Sequence, residues 1–165
     1  MRYYILALAL LLLFPGSARP AWEAAILPRG FSHESSLQKA VDRAKVTGRA
    51  VIVYYTRTQC PPCDALQARL RKDSIGEPFR SGYVFTAVWG NSMSNTEREH
   101  YRIRFGVQGA PTWLVFNSLG DYICTARGGF GSDEAGLKLN DNVQELLKSG
   151  ASAPSEPVEC TAPPQ

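Results

Sequence analysis

Charge of one sign, long apolar runs, histidine and methionine are all scarce in this chain. Eighteen Lys and Arg against fifteen Asp and Glu leave a formal charge of +3 over 165 residues. That balance is too small to favour nucleic acid or an anionic membrane as a partner. One apolar run, Tyr3 to Phe14, is about a dozen residues long and too short to cross a bilayer; no later run is long enough either. There is no glycine-rich nucleotide fingerprint, no flavin motif and no internal repeat, which excludes nucleotide-dependent chemistry and solenoid folds. The two histidines, His33 and His100, fall in stretches that read as solvated surface, so a histidine-based metal site is disfavoured.

Cysteine is sparse too, with four residues, but two of them stand close together in Thr58-Gln59-Cys60-Pro61-Pro62-Cys63. A β-branched and aromatic run, Val51 to Thr56, comes immediately before them, and a helix-like stretch, Asp64 to Arg71, follows. A dithiol at a strand-to-helix junction suits redox chemistry. The helix dipole and the free N–H groups of the first turn favour the thiolate, which is the reactive form of cysteine.

The first residues read as an address. A single Arg2, the short apolar run, the break at Pro15-Gly16 and the small residues Gly16-Ser17-Ala18 imply a signal peptide over residues 1–18, cleaved after Ala18; a retained anchor is the alternative. The expected location is therefore the periplasm or the exterior, where disulfides persist. Residues 19–148 are long enough for one domain with a genuine core. Residues 149–165, rich in Pro, Ser and Ala, read as a disordered tail.

The pattern of elements is α-β-α-β-α-β-β-α. Ser35-Ser36 can cap a helix carrying Leu37, Ala40, Val41 and Ala44, ended by Gly48. Strands are expected at 51–56, 83–88, 112–116 and 121–125, the last two joined by Asn117 to Gly120 as a hairpin. Helices are expected from the dithiol to about Lys72, over 96–105 with Asn95 as cap, and over 140–148. Alternating β and α with a terminal hairpin implies an α/β fold, a central mixed sheet flanked by helices.

This order, with CxxC at the first strand-to-helix junction, resembles the thioredoxin fold, and the segment Phe105 to Phe116 is similar to the cis-proline segment of thioredoxins. The resemblance covers about residues 35–148 and is nearest to the exported thioredoxin-like branch. It implies that Pro111 is cis and faces the dithiol, that Ala110 offers its backbone to an extended substrate as an added strand, and that Gly128 and Gly129 form the third loop of the binding groove. Two departures stand out. Tyr54 occupies the place of the family's buried carboxylate, with no partner Lys evident on the next strand, and Gln59 replaces the usual Trp. Asp64 and Glu99 are the candidates for the missing base.

The motif implies an exposed Cys60 as nucleophile and an inward Cys63 as resolving thiol. Pro61 and Pro62 carry no N–H, so Cys63 N–H is the only nearby backbone donor to a Cys60 thiolate. That favours a reductase over a strong oxidase, unless Arg57 turns toward Cys60. The function expected is an exported thiol–disulfide oxidoreductase, a monomer acting on protein disulfides. It would need no cofactor beyond the dithiol and would draw electrons from a membrane-embedded thiol donor. The alternatives are a binding module or metal chaperone of the same fold, and a disulfide oxidase or isomerase. Cys124 is either a small buried residue or the partner of Cys160 in a tail-pinning disulfide; neither is expected to take part in exchange.

Overall fold

The computed structural model describes residues 27–150 and 153–161. The expected signal peptide lies outside these residues. The elements run β1 (His33–Glu34), α1 (Leu37–Thr47), β2 (Ala50–Thr56), α2 (Pro61–Leu70), α3 (Asp73–Gly82), β3 (Tyr83–Trp89), a 3-10 turn (Gly90–Ser92), α4 (Asn95–Phe105), β4 (Thr112–Phe116), β5 (Tyr122–Arg127) and α5 (Asp133–Lys148). The sheet order is β1-β3-β2-β4-β5. β2 and β1 both run parallel to β3, while β4 pairs antiparallel with β2 and β5 antiparallel with β4. This is the mixed sheet that the alternating pattern implied.

Strand alternation sorts the core into two layers. Ile52 and Tyr54 of β2, Tyr83 and Phe85 of β3, and Trp113 and Val115 of β4 share one layer with Leu66, Leu70, Ile75, Phe79 and Val143 from α2, α3 and α5. The intervening Val51, Val53, Tyr55, Val84 and Leu114 pack with Ala40, Val41 and Ala44 of α1, and Tyr101 and Phe105 of α4 lie against them. All four cysteines are on the first side. The local signals explain the helix ends: Ser36 Oγ accepts from Lys39 N–H, and Gly48 closes α1 in the left-handed region at φ 67°. For α4 the cap is Ser94 rather than Asn95, in a reciprocal capping box with Glu97.

Three elements differ from the sequence expectation. β1 is too short to leave a pattern. The helix α3 was not expected, because Gly76 and Pro78 lie inside it and both oppose helix. Burying Ile75 and Phe79, four residues apart, contributes roughly 1.5–3 kcal/mol each, enough to offset about 3 kcal/mol for the proline. Gly76 is needed for contact, since a Cβ there would lie 2.1 Å from the Leu70 carbonyl oxygen. Likewise α5 starts at Asp133, not at Asn140. Its early Gly136 is a packing site, where a Cβ would come within 2.9 Å of the Phe130 ring.

The tail corrects a further expectation. Residues 153–161 are not a disordered extension. Thr125 N–H donates to Val158 O at 2.7 Å and Cys160 N–H donates to Thr125 O at 3.0 Å, a parallel bridge along the free edge of β5. Cys124 and Cys160 form a disulfide, and Arg127 pairs with Glu159. Backbone pairing to an open edge needs no apolar side chains, which is why composition misjudged this segment.

Candidate active site

β2 delivers the chain to the site. After Thr56 the loop Arg57 to Gln59 leads into Cys60, the N-cap of α2, and Pro61 and Pro62 occupy its first two positions. Proline fits there because the N–H it lacks would be unpaired anyway. Cys60 and Cys63 form a disulfide with Cα atoms 5.2 Å apart. The Cys60 carbonyl accepts from Cys63 N–H at 2.9 Å and Asp64 N–H at 3.1 Å, and the Cys60 side chain takes no cap hydrogen bond. The one backbone donor left by the two prolines is thus already engaged.

Cys60 and Cys63 are only 3% and 2% exposed. The expectation of an exposed Cys60 sulfur does not hold for this oxidised form. The ring draws both sulfurs together at the helix start, where other loops also pack. A Cβ built on Gly129 would lie 3.5 Å from Leu66 Cβ, 3.7 Å from Pro62 O and 3.9 Å from Pro111 Cγ. Gly129 therefore sits where α2 and the Pro111 loop meet. Gly128 N–H donates to Pro111 O at 2.8 Å, from a left-handed backbone (φ 73°) that suits glycine. The Ala110–Pro111 bond is cis. The fold thus brings Pro62, Leu66, Pro111, Gly128 and Gly129 to one place, and Ala110 packs against the core that holds the disulfide.

Among the described residues no carboxylate is buried. Tyr54 is buried, and its hydroxyl has no hydrogen-bond partner; Thr56 and Gln67 face it without reaching bonding geometry. Burial pushes the phenol up to about 12, with a smaller contribution in the same direction from the Asp64 charge. Tyr54 is therefore a neutral donor group at ordinary pH and not a base. Of the two candidate bases, Glu99 does not belong to the site. It stands on α4, on the other side of the sheet, ion-paired to Arg102 at 2.6 Å, which holds its carboxyl below the ordinary value. Asp64 is exposed in the first turn of α2, and Arg57 is exposed as well.

His33 lies on β1 and His100 on α4. Among the described residues no group of three His, Cys, Asp or Glu side chains is placed to hold a metal ion, and no helix is long and apolar enough to cross a membrane. One contact near the site left no signal in the sequence. Asn91, in the 3-10 turn after β3, hydrogen-bonds Thr58 beside the dithiol loop.

A thioredoxin-like fold with a CxxC disulfide where β2 meets α2 defines a thiol–disulfide redox protein. The chain belongs to the thioredoxin-like domain family, whose model matches residues 37–141. Solved structures agree on the fold. A thioredoxin from Thermus thermophilus is 19% identical with a TM-score of 0.60, covering 74% of this chain and 94% of its own. A putative disulphide-isomerase from Bacteroides thetaiotaomicron is 24% identical with a TM-score of 0.54, covering 72% and 93%. The disulphide isomerase from Xylella fastidiosa Temecula1 is 21% identical with a TM-score of 0.54, covering 78% and 95%. No curated protein matches the chain in sequence.

Proposed function

We propose that this protein is an exported thiol–disulfide oxidoreductase that reduces disulfides in other proteins. The observation that carries the reading is the Cys60–Cys63 disulfide at the start of α2, a helix whose Pro62 and Leu66 meet Gly129 beside Pro111. In the reduced form the Cys60 thiolate attacks a substrate disulfide, a mixed disulfide forms and one substrate thiolate leaves. Cys63 then loses its proton and attacks Cys60 Sγ. The second substrate thiol is released, and two electrons have passed from the dithiol to the substrate. Ala110, Pro111, Gly128 and Gly129 line the groove that receives the substrate backbone. The dithiol is its own redox centre and requires no cofactor. The oxidised form is returned to the dithiol by a membrane-embedded thiol donor, and the protein works as a monomer in the periplasm or outside the cell.

The direction rests on the backbone donors. Pro61 and Pro62 offer none, and Cys63 N–H and Asp64 N–H both serve the Cys60 carbonyl. A thiolate with few donors is less stabilised, which makes the dithiol form less favoured and the couple more reducing. Equilibration of the Cys60–Cys63 pair against glutathione is expected to give a potential nearer the thioredoxin value of about −270 mV than the strong oxidant's −120 mV or so. Reduction of insulin disulfides by the reduced protein should accompany it. A potential above about −150 mV would instead identify an oxidant of newly exported chains. Absence of turnover, with stoichiometric metal retained by the reduced protein, would identify a binding module.

A further inference from the structure

β2 and β3 are paired in parallel as far as Thr56 and Trp89, and both chains then leave the sheet at the same end. One continues through Arg57, Thr58 and Gln59 into Cys60; the other turns through Gly90 to Ser92. Asn91 joins them again. Its Oδ1 accepts from Thr58 N–H at 3.2 Å, and its Nδ2 donates to Thr58 Oγ1. The turn carrying Asn91 is itself held in place. Arg98 of α4 donates to Gly90 O at 3.2 Å, to Met93 O at 2.9 Å and to Asn95 Oδ1. Gly90 lies so close to Tyr55 that a Cβ would come within 2.2 Å of the phenol oxygen.

Between Thr58 and Cys60 stands Gln59, with φ at 53°, the one non-glycine residue with positive φ among the described residues. An L side chain disfavours this region, because its Cβ approaches the following carbonyl oxygen. Such a backbone persists only where its surroundings hold it, and residues of this kind gather at functional sites. Here the surroundings include the reciprocal Thr58–Asn91 pair on one side and the Cys60–Cys63 ring on the other. Opening the ring removes the second restraint and leaves Asn91 as a restraint on the loop.

We propose that Asn91 is a positioning residue for Cys60: through Thr58 it holds Gln59 left-handed and so keeps Cys60 placed for ring closure with Cys63. It rests on the reading of Cys60 and Cys63 as the working pair, but not on the direction in which they exchange. Asn91 touches neither sulfur. With the clamp absent, the reduced loop relaxes to negative φ at Gln59, and closing the ring must restore the disfavoured torsion. Ring closure joins the two sulfurs and oxidises two thiols, while one glutathione disulfide is reduced to two glutathione thiols.

The test is the equilibrium constant for that exchange, read on the full chain from the Cys60/Cys63 peptide by alkylation and mass spectrometry. Asn91→Ala is expected to lower the constant about tenfold, equivalent to an upward shift of about 30 mV. In a Gln59→Gly chain, where positive φ carries no penalty, the same substitution should change it less than threefold. Thr58→Val, which removes the hydroxyl from the same pair, should shift the constant in the same direction. An unchanged constant in both Asn91→Ala and Thr58→Val would overturn the proposal. So would an equal drop with Gln or Gly at position 59, because Asn91 would then act independently of that torsion. If the protein proved to be an oxidant, the absolute potential would move and this difference would remain, so the two readings fail separately.

Discussion

Tyr54 of β2 and Trp113 of β4 stand opposite each other in the sheet, their rings edge to face at 84° with centroids 6.5 Å apart. Each ends in a buried polar atom, Tyr54 Oη and Trp113 Nε1, without a hydrogen-bond partner. Both belong to the core layer that holds Cys60 and Cys63. The resemblance to thioredoxins implies a buried carboxylate at the place where Tyr54 stands. This chain has an aromatic pair there that can donate protons into hydrogen bonds but, near neutral pH, cannot take one up.

Tyr54→Phe should therefore leave the pH dependence of disulfide reduction unchanged. With its phenol pushed up to about 12, Tyr54 stays protonated across the working range and contributes no titration there. Removing a partnerless buried hydroxyl should leave stability equal or raise it by about 1 kcal/mol. Stopped-flow reduction rates against pH and a urea titration check both statements. A displaced pH profile would show that the hydroxyl takes part in proton transfer.

Cys63→Ser should trap mixed disulfides with substrate proteins, and Cys60→Ser should trap none. Cys60 is at the helix N-terminus, where the dipole favours its thiolate, while Cys63 lies within the first turn. Non-reducing gels of the two variants after exposure to oxidised substrate make the comparison. Equal trapping by both would overturn the assignment of roles.

Replacing Cys124 and Cys160 together by Ser should preserve exchange at Cys60 and Cys63 but weaken the fold. Their disulfide spans a sequence separation of 36, for which the chain-entropy account gives about 3–4 kcal/mol. The variant should keep near-normal insulin reduction, unfold at lower denaturant concentration, and expose the β5 edge that residues 158–160 now cover. Loss of turnover in a variant that stays folded would reveal a second redox relay.

Asp133, at the start of α5, binds Arg69 at 2.9 Å and Lys72 at 2.8 Å, near the end of α2. Hydrogen bonds from Lys72 and Arg69 hold its carboxyl below the ordinary value of 3.8. A lowered folded-state value means that this contribution is present above about pH 3.8 and is lost as pH falls through the lower value. Asp133→Asn should thus be modestly less stable near neutral pH and converge on the parent as pH falls through that lowered value. Urea midpoints measured across that range test the sign.

Much of this protein was legible in the sequence for local reasons. The β-branched and aromatic run Val51 to Thr56, the three-and-four spacing in Leu37 to Ala44 and the turn residues Asn117 to Gly120 declare their own backbone conformations, because each signal lies within one element. The dithiol was equally plain, since Cys60 and Cys63 sit one helical turn apart. The rest was decided by contacts between residues distant in sequence. Gly76 and Gly136 look like helix breakers until the Leu70 carbonyl and the Phe130 ring press against them. The tail looks disordered until β5 offers an unpaired edge and Cys124 offers a sulfur. Asn91 carries no signal at all, and it becomes part of the site only because two parallel strands end side by side. Local conformation follows from the chain's own periodicity and caps, but close approach, edge pairing and the clamp on Thr58 exist only once the sheet has brought their partners together.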